Sequence, residues 1–186
     1  MAKKTDDNQQ VKTTKNWIKD ALIQLMDIED FNRITVSQIA NSAEVDRRTF
    51  YRHYKKKENV LNDYLLSLLK PHFESIIKQT YLTERQLCCI HFTFLEQHLD
   101  ILRLLKKQGL FGYLLVCYKD YIYLFQNMRG ILCDFTDNNR FKIAFKTGAF
   151  LNIVSEWIED DPVKSPEEMT NIIHTYLAAG LDSLFS

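Results

Sequence analysis

Glycine and proline are scarce in this 186-residue chain, with 5 Gly and 3 Pro. Phosphate-cradling loops, strand-dense barrels and dinucleotide-binding turns need Gly at special backbone positions, so the composition argues against them. Cysteine is sparse and badly spaced for metal: Cys88, Cys89, Cys117 and Cys133 include no Cys-x-x-Cys pair and no correctly spaced His. A zinc site is therefore not expected, nor any other metal or cofactor, and the thiols read as small buried hydrophobes. Long apolar runs are missing. The longest, Leu110 to Tyr118, falls far short of the ~20 residues a membrane helix needs. Met1 to Gln10 is polar and lacks the apolar stretch of a secretory signal, so a cytoplasmic location is expected. Net charge is absent as well, 24 basic against 24 acidic residues, but it is unevenly spread: residues 1–70 hold 13 Lys/Arg and 10 Asp/Glu, residues 71–186 hold 11 and 14. The N-terminal third is the basic end, which matters if those charges share one face.

What is present is helical periodicity. Ile18, Ala21, Leu22, Leu25 and Met26 repeat at the spacing of one buried helical stripe in a helix from about Val11 to Glu29. Thr35 with Gln38 forms a capping box, and Val36, Ile39 and Ala40 give the inner face of the short helix that follows. Asp46 is placed to cap another short helix, with Phe50 and Tyr54 on one side and Arg47, Arg48, Tyr51 and Arg52 together on the other. Beyond Lys55-Lys56-Lys57 a long helix runs towards Ile77, and Pro71 predicts a kink or break near Lys70.

Two short helices separated by a tight turn and followed by a basic run are what a helix-turn-helix requires. Thr35-Val36-x-x-Ile39-Ala40-x-x-Ala43-x-Val45 and then Thr49-Phe50-Tyr51-x-x-Tyr54-x-x-Lys57-Glu58-x-x-Leu61 resemble the tetracycline-repressor (TetR) family of bacterial regulators, over about residues 11–65. The resemblance implies an all-α fold, a helix-turn-helix domain over 1–56 and a helical dimerisation and effector domain over 57–186. It further implies a homodimer on a near-palindromic double-stranded DNA operator, more naturally a repressor, with a small-molecule effector of unknown identity. Arg47, Arg48 and Tyr51 then stand at positions that enter the major groove, and Thr35, Thr49, Arg52, His53 and Lys57 at positions that meet backbone phosphates. Arg suits guanine O6 and N7 bidentately, while hydroxyls and Lys suit phosphate oxygens. Two residues depart from the family pattern. Glu44 fills a turn position usually held by Gly, and Lys56 stands where a small capping residue is common. With Asp46 they keep open a second reading, a TetR-like interaction module that no longer reads DNA.

In the rest of the chain, Thr83 with Gln86 makes another capping box, and Leu87 to Lys107 is helical with a division near Asp100. Leu110 to Cys133 is aromatic-rich but long enough to favour helix over strand. Tyr113, Tyr118, Tyr121 and Tyr123 there suit either a ligand cavity or a core. Between Arg140 and Glu159 apolar residues occupy more than one helical face, and Ser165-Pro166-Glu167-Glu168 starts a closing amphipathic helix. The segment from Gly148 to Glu168 is similar to TetR-like proteins that include regulators linked to dihydroxyacetone kinase. The excess apolar surface predicts a four-helix dimer interface with Phe150, Val154, Trp157, Ile173 and Leu177 as candidate contacts. His91, Phe94, Tyr113 and Tyr121 are candidate effector-binding residues, a wall expected mostly from the resemblance. No Ser, Cys or His constellation with catalytic spacing is found, so an enzyme is not expected.

Overall fold

The computed structural model describes residues 2–79, 81–128 and 137–179, apart from the side chains of 2–8, 123–128, 137–139, 142 and 177–179. Tyr123, Cys133 and Leu177 lie outside the side chains described. Among the described residues there are nine helices and no strand: α1 (Ala2–Ile28), α2 (Val36–Ser42), α3 (Arg47–His53), α4 (Lys57–Ile77), α5 (Glu84–Glu96), α6 (Leu99–Lys107), α7 (Phe111–Met128), α8 (Asp137–Trp157) and α9 (Pro166–Ala179). The chain forms two compact units, residues 1–69 and 70–186.

Local signals set several helix starts. Thr35 accepts from the Gln38 amide at 3.2 Å while the Gln38 side chain accepts from the Thr35 amide at 2.8 Å, and Thr83 with Gln86 repeats the arrangement. Ser165 and Glu168 do the same at the head of α9, with Pro166 at its first position. Each box satisfies amides that the first helical turn leaves unpaired. The division expected near Asp100 falls at Gln97-His98. No break occurs at Pro71: α4 continues through it to Ile77. The missing Pro71 N–H forfeits one backbone bond, and buried Leu69, Phe73 and Ile76 on either side hold the helix in place.

In the first unit Ile18, Leu22 and Met26 of α1 are fully buried with Ile39 of α2, Phe50 of α3 and Leu61 of α4. Short α2 and α3 cannot stand alone at seven residues each, so this shared core is what holds them. In the second unit α5 packs on α9 and α7 on α8. Its centre is aromatic: Phe92 meets Phe150 at 5.4 Å and Trp157 at 5.1 Å, and Phe73 stacks on Tyr121 at 5.1 Å. Cys117 is buried, Cys88 and Cys89 are half-buried, and none of the three is in a disulfide; burial pushes the Cys117 thiol up to about 11.

Candidate nucleic-acid interface

The turn between α2 and α3 ends α2 in a Schellman arrangement. The Val45 amide donates to Ala40 O at 2.9 Å and the Glu44 amide to Asn41 O at 3.1 Å, which satisfies two terminal carbonyls. Glu44 adopts φ 53°, a left-handed conformation that costs an L-residue about 1–2 kcal/mol. The turn the family usually builds with Gly therefore forms here with Glu. Asp46 then caps α3, its Oδ1 accepting from the Thr49 amide at 2.6 Å. That bond, together with the Thr49 hydroxyl, holds the Asp46 carboxyl below the usual carboxylate range. Its negative charge sits at the positive end of the helix, where it is stabilising.

Phe50 and Tyr54 face the core, and α3 turns Arg47, Arg48, Tyr51 and Arg52 outwards. The four form one surface: the Arg47 guanidinium lies 6.0 Å from the Tyr51 ring centre, and Tyr51 packs edge-on to Phe50 at 5.6 Å. Exposed Lys55 and Lys56 follow directly. Glu44 is accommodated in the turn and Asp46 in the cap of α3.

Three of the residues expected at phosphates are engaged or turned inwards within the domain. Thr35 spends its hydroxyl on Gln38, donating to Oε1 at 2.7 Å, although it stays exposed. His53 has a buried Nε2 without a hydrogen-bond partner, and burial, with Arg52 and Lys15 nearby, lowers its pKa; that nitrogen faces inwards and not towards a phosphate. Lys57 departs furthest. Its ammonium donates to the carbonyl oxygens of Phe31, Asn32 and Ile34 at 2.5, 3.0 and 2.8 Å.

A brace that sequence reasoning missed flanks the same helix. Tyr54 O–H donates to Asp63 Oδ2 at 2.5 Å and Lys15 Nζ to the same oxygen at 3.2 Å, with the ammonium 5.1 Å from the Tyr54 ring centre. Burial alone would raise the Asp63 pKa, but the Tyr54 hydroxyl and Lys15 outweigh it and hold the carboxyl low; burial and Asp63 drive the Tyr54 hydroxyl up. These partners lie 9 and 48 residues apart in sequence, so no local pattern announces them.

With this geometry in place, residues 18–64 match the family of bacterial regulatory proteins named tetR. The first unit carries a TetR-family helix-turn-helix domain. The likeness in fold extends past the matched residues. The chain is similar to the crystal structure of a TetR transcriptional regulator from Streptococcus agalactiae, at 21% identity over 90% of this chain and 95% of that one, with a TM-score of 0.59. It is also similar to DhaS, a dihydroxyacetone kinase operon activator, at 18% identity over 89% and 94%, with a TM-score of 0.53. At such identities the likeness is one of fold. No curated protein sequence matches significantly.

Among the described residues, three of the four expected effector residues pack ring against ring. His91 lies within the second unit's aromatic core, its Nδ1 2.8 Å from His72 Nε2 and 2.7 Å from the Tyr118 hydroxyl. Phe94 stacks on His72 at 4.0 Å and Tyr121 on Phe73, whereas Tyr113 is half-buried on α7. Ring–ring contact fills the space that a ligand would need. Two surface cavities lie elsewhere, one of about 410 Å³ bounded by Arg85, Cys88, Thr170 and His174, the other of about 370 Å³ beside Arg103 and Lys106. In the second, Arg103 donates to Ile158 O and Asp160 O, and Lys106 to Ser155 O, so these cations satisfy carbonyls at the end of α8. Among the described residues no group of His, Cys, Asp and Glu is placed to hold a metal ion, and no helix is long and apolar enough to cross a membrane.

Two of the candidate dimer contacts are buried within the unit. Val154 and Trp157 are 0% and 2% exposed, and Phe150 packs against His91, Phe92 and Tyr118. Val154 and Trp157 are core residues of the unit, with the indole donating to Lys164 O at 2.7 Å and meeting the Phe92 ring. Ile173 is half-buried. Among the described residues, the large apolar side chains that α8 and α9 leave exposed are Phe141, Phe145 and Tyr176.

Proposed function

We propose that the protein binds a near-palindromic operator as a homodimer and represses transcription by occupying it. The observation that carries this reading is the α3 surface: Arg47, Arg48 and Tyr51 project from a helix anchored underneath by Phe50 and Tyr54. Arg47 and Arg48 are the donors for base edges in the major groove, with Tyr51 beside them. Arg52, Thr49, Lys55 and Lys56 are the groups for flanking phosphates. One seven-residue helix reads only a few base pairs, so adequate specificity calls for a two-fold pair of half-sites. Phe141 and Phe145, one turn apart on α8, with Tyr176 on α9, supply apolar surface that favours pairing of these helices with a second copy.

Selection of duplexes from a random pool by the purified protein tests the reading. A recovered site with two inverted half-sites about one helical turn apart is expected, together with a dimer in light scattering. Recovery of no preferred sequence would refute specific operator binding, and a monomer at micromolar concentration would refute the dimer. A reporter driven by a promoter carrying the selected site should rise when the gene is deleted; a fall would make the protein an activator.

A further inference from the structure

Lys57 carries a second consequence for the reading head. An ammonium has three N–H donors in a tetrahedral array, and here each has a carbonyl oxygen at 2.5–3.0 Å. The three acceptors come from one turn, residues 31–34, and the same nitrogen lies 4.8 Å from the Phe31 ring centre. The turn is itself held: the Asn32 amide donates to Asp30 Oδ1 at 2.7 Å, and the Phe31 and Ile34 side chains are 3% and 2% exposed. The ammonium is thus saturated within the domain and has no donor left for a phosphate.

The turn 31–34 immediately precedes α2, and Lys57 opens α4 three residues after α3 ends. The bond from Lys57 to Ile34 spans 23 residues, and those residues contain the whole of α2, the turn and α3. We propose that Lys57 is a positioning residue that closes the helix-turn-helix into a loop and fixes the pose of the recognition helix, and that it does not contact DNA. The tie acts as a non-covalent cross-link between the segment entering α2 and the segment leaving α3. The Tyr54–Asp63–Lys15 brace holds the end of α3 to α4 and α1 but leaves the turn before α2 unattached, so it cannot substitute. Base readout needs α3 within a fraction of an ångström of its productive pose, whereas sequence-independent attraction to phosphates does not.

This inference rests on the DNA-binding reading for its consequence but not for its geometry, and the test keeps the two apart. In DNA-free protein with ¹⁵N-labelled lysine, the Lys57 ammonium protons should exchange slowly and couple to the carbonyl carbons of residues 31, 32 and 34. Exchange as fast as at Lys55 and Lys56 would overturn the clamp, whatever the protein does with DNA. Lys57→Arg then separates clamp from contact, since a planar guanidinium keeps the charge and suits a phosphate but cannot donate to three converging carbonyls. On a duplex selected by the parent protein, Lys57→Arg should lose at least tenfold in affinity while binding to a random duplex changes less than about twofold. The slope of log K against log[salt] should stay at the parent value for Lys57→Met, whereas one lost phosphate contact lowers it by ~0.9. Parent-like affinity in Lys57→Arg, or a reduced slope in Lys57→Met, would make Lys57 a DNA contact and refute the proposal.

Discussion

The packed imidazole pair of the second unit makes its stability depend steeply on mild acid. Loss of solvent lowers the His72 pKa to about 4 and the His91 pKa to about 3, against about 6.5 in an unfolded chain. These bases are neutral in the folded state, so the unfolded chain binds more protons at any pH between the two sets of values, and stability falls as pH falls. The contribution is complete above pH 6.5 and declines towards pH 4 and 3. Between pH 7 and 5 each group removes about 2 kcal/mol, together about 4 kcal/mol, from a typical total of ~5–15 kcal/mol. For a unit of this size that is a fall in Tm of roughly 10–20 °C. Trp157, buried at 2% exposure, reports this unit once exposed Trp17 is replaced by Phe, because the chain has two tryptophans. His91→Phe keeps an aromatic ring and removes one titration. It also strands the Tyr118 hydroxyl, which bonds His91 at 2.7 Å, at a cost of ~1–3 kcal/mol that does not vary over this pH range. The variant should therefore be less stable at pH 7 yet lose about 2 kcal/mol less than the parent between pH 7 and 5. An equal loss in both proteins would show that His91 protonation does not drive the acid sensitivity.

Other consequences concern the reading head and the apolar surface. Arg48→Ala should cost about 1–3 kcal/mol on the selected duplex and relax preference at one position, read by binding to single-base variants of the site; unchanged preference at every position would remove Arg48 from base readout. Lys56→Ala should weaken selected and random duplexes alike and reduce the salt slope by ~0.9, and a sequence-dependent loss would argue against a phosphate role. Glu44→Gly removes the cost of an L-residue at φ 53° and should raise stability by up to about 1 kcal/mol in denaturant unfolding with operator affinity retained. Phe145→Glu should shift the protein to monomer in light scattering and abolish operator binding together; a stable dimer would place the interface elsewhere.

Features whose partners lie three or four residues apart are legible in the chain alone. The capping boxes at Thr35, Thr83 and Ser165, the cap at Asp46, and the separation of Phe50 and Tyr54 from Arg47, Arg48, Tyr51 and Arg52 are set by helical periodicity and by amides the first turn must satisfy. The helix-turn-helix and its outward basic face were legible for that reason. Tertiary structure decided where partners are distant. Lys57 looks like any surface lysine until the turn at 31–34 folds against it. Asp63 gains its role only when Tyr54 and Lys15 arrive beside it. His91, Phe94 and Tyr121 have the composition of a pocket wall, and only packing reveals that His72, Phe73, Tyr118 and Phe150 fill the space. Val154 and Trp157 belong to an apolar surplus that a one-dimensional pattern cannot divide between the unit's own core and a partner. That division depends on which neighbouring helix covers each face, a property of three-dimensional burial that no local spacing encodes.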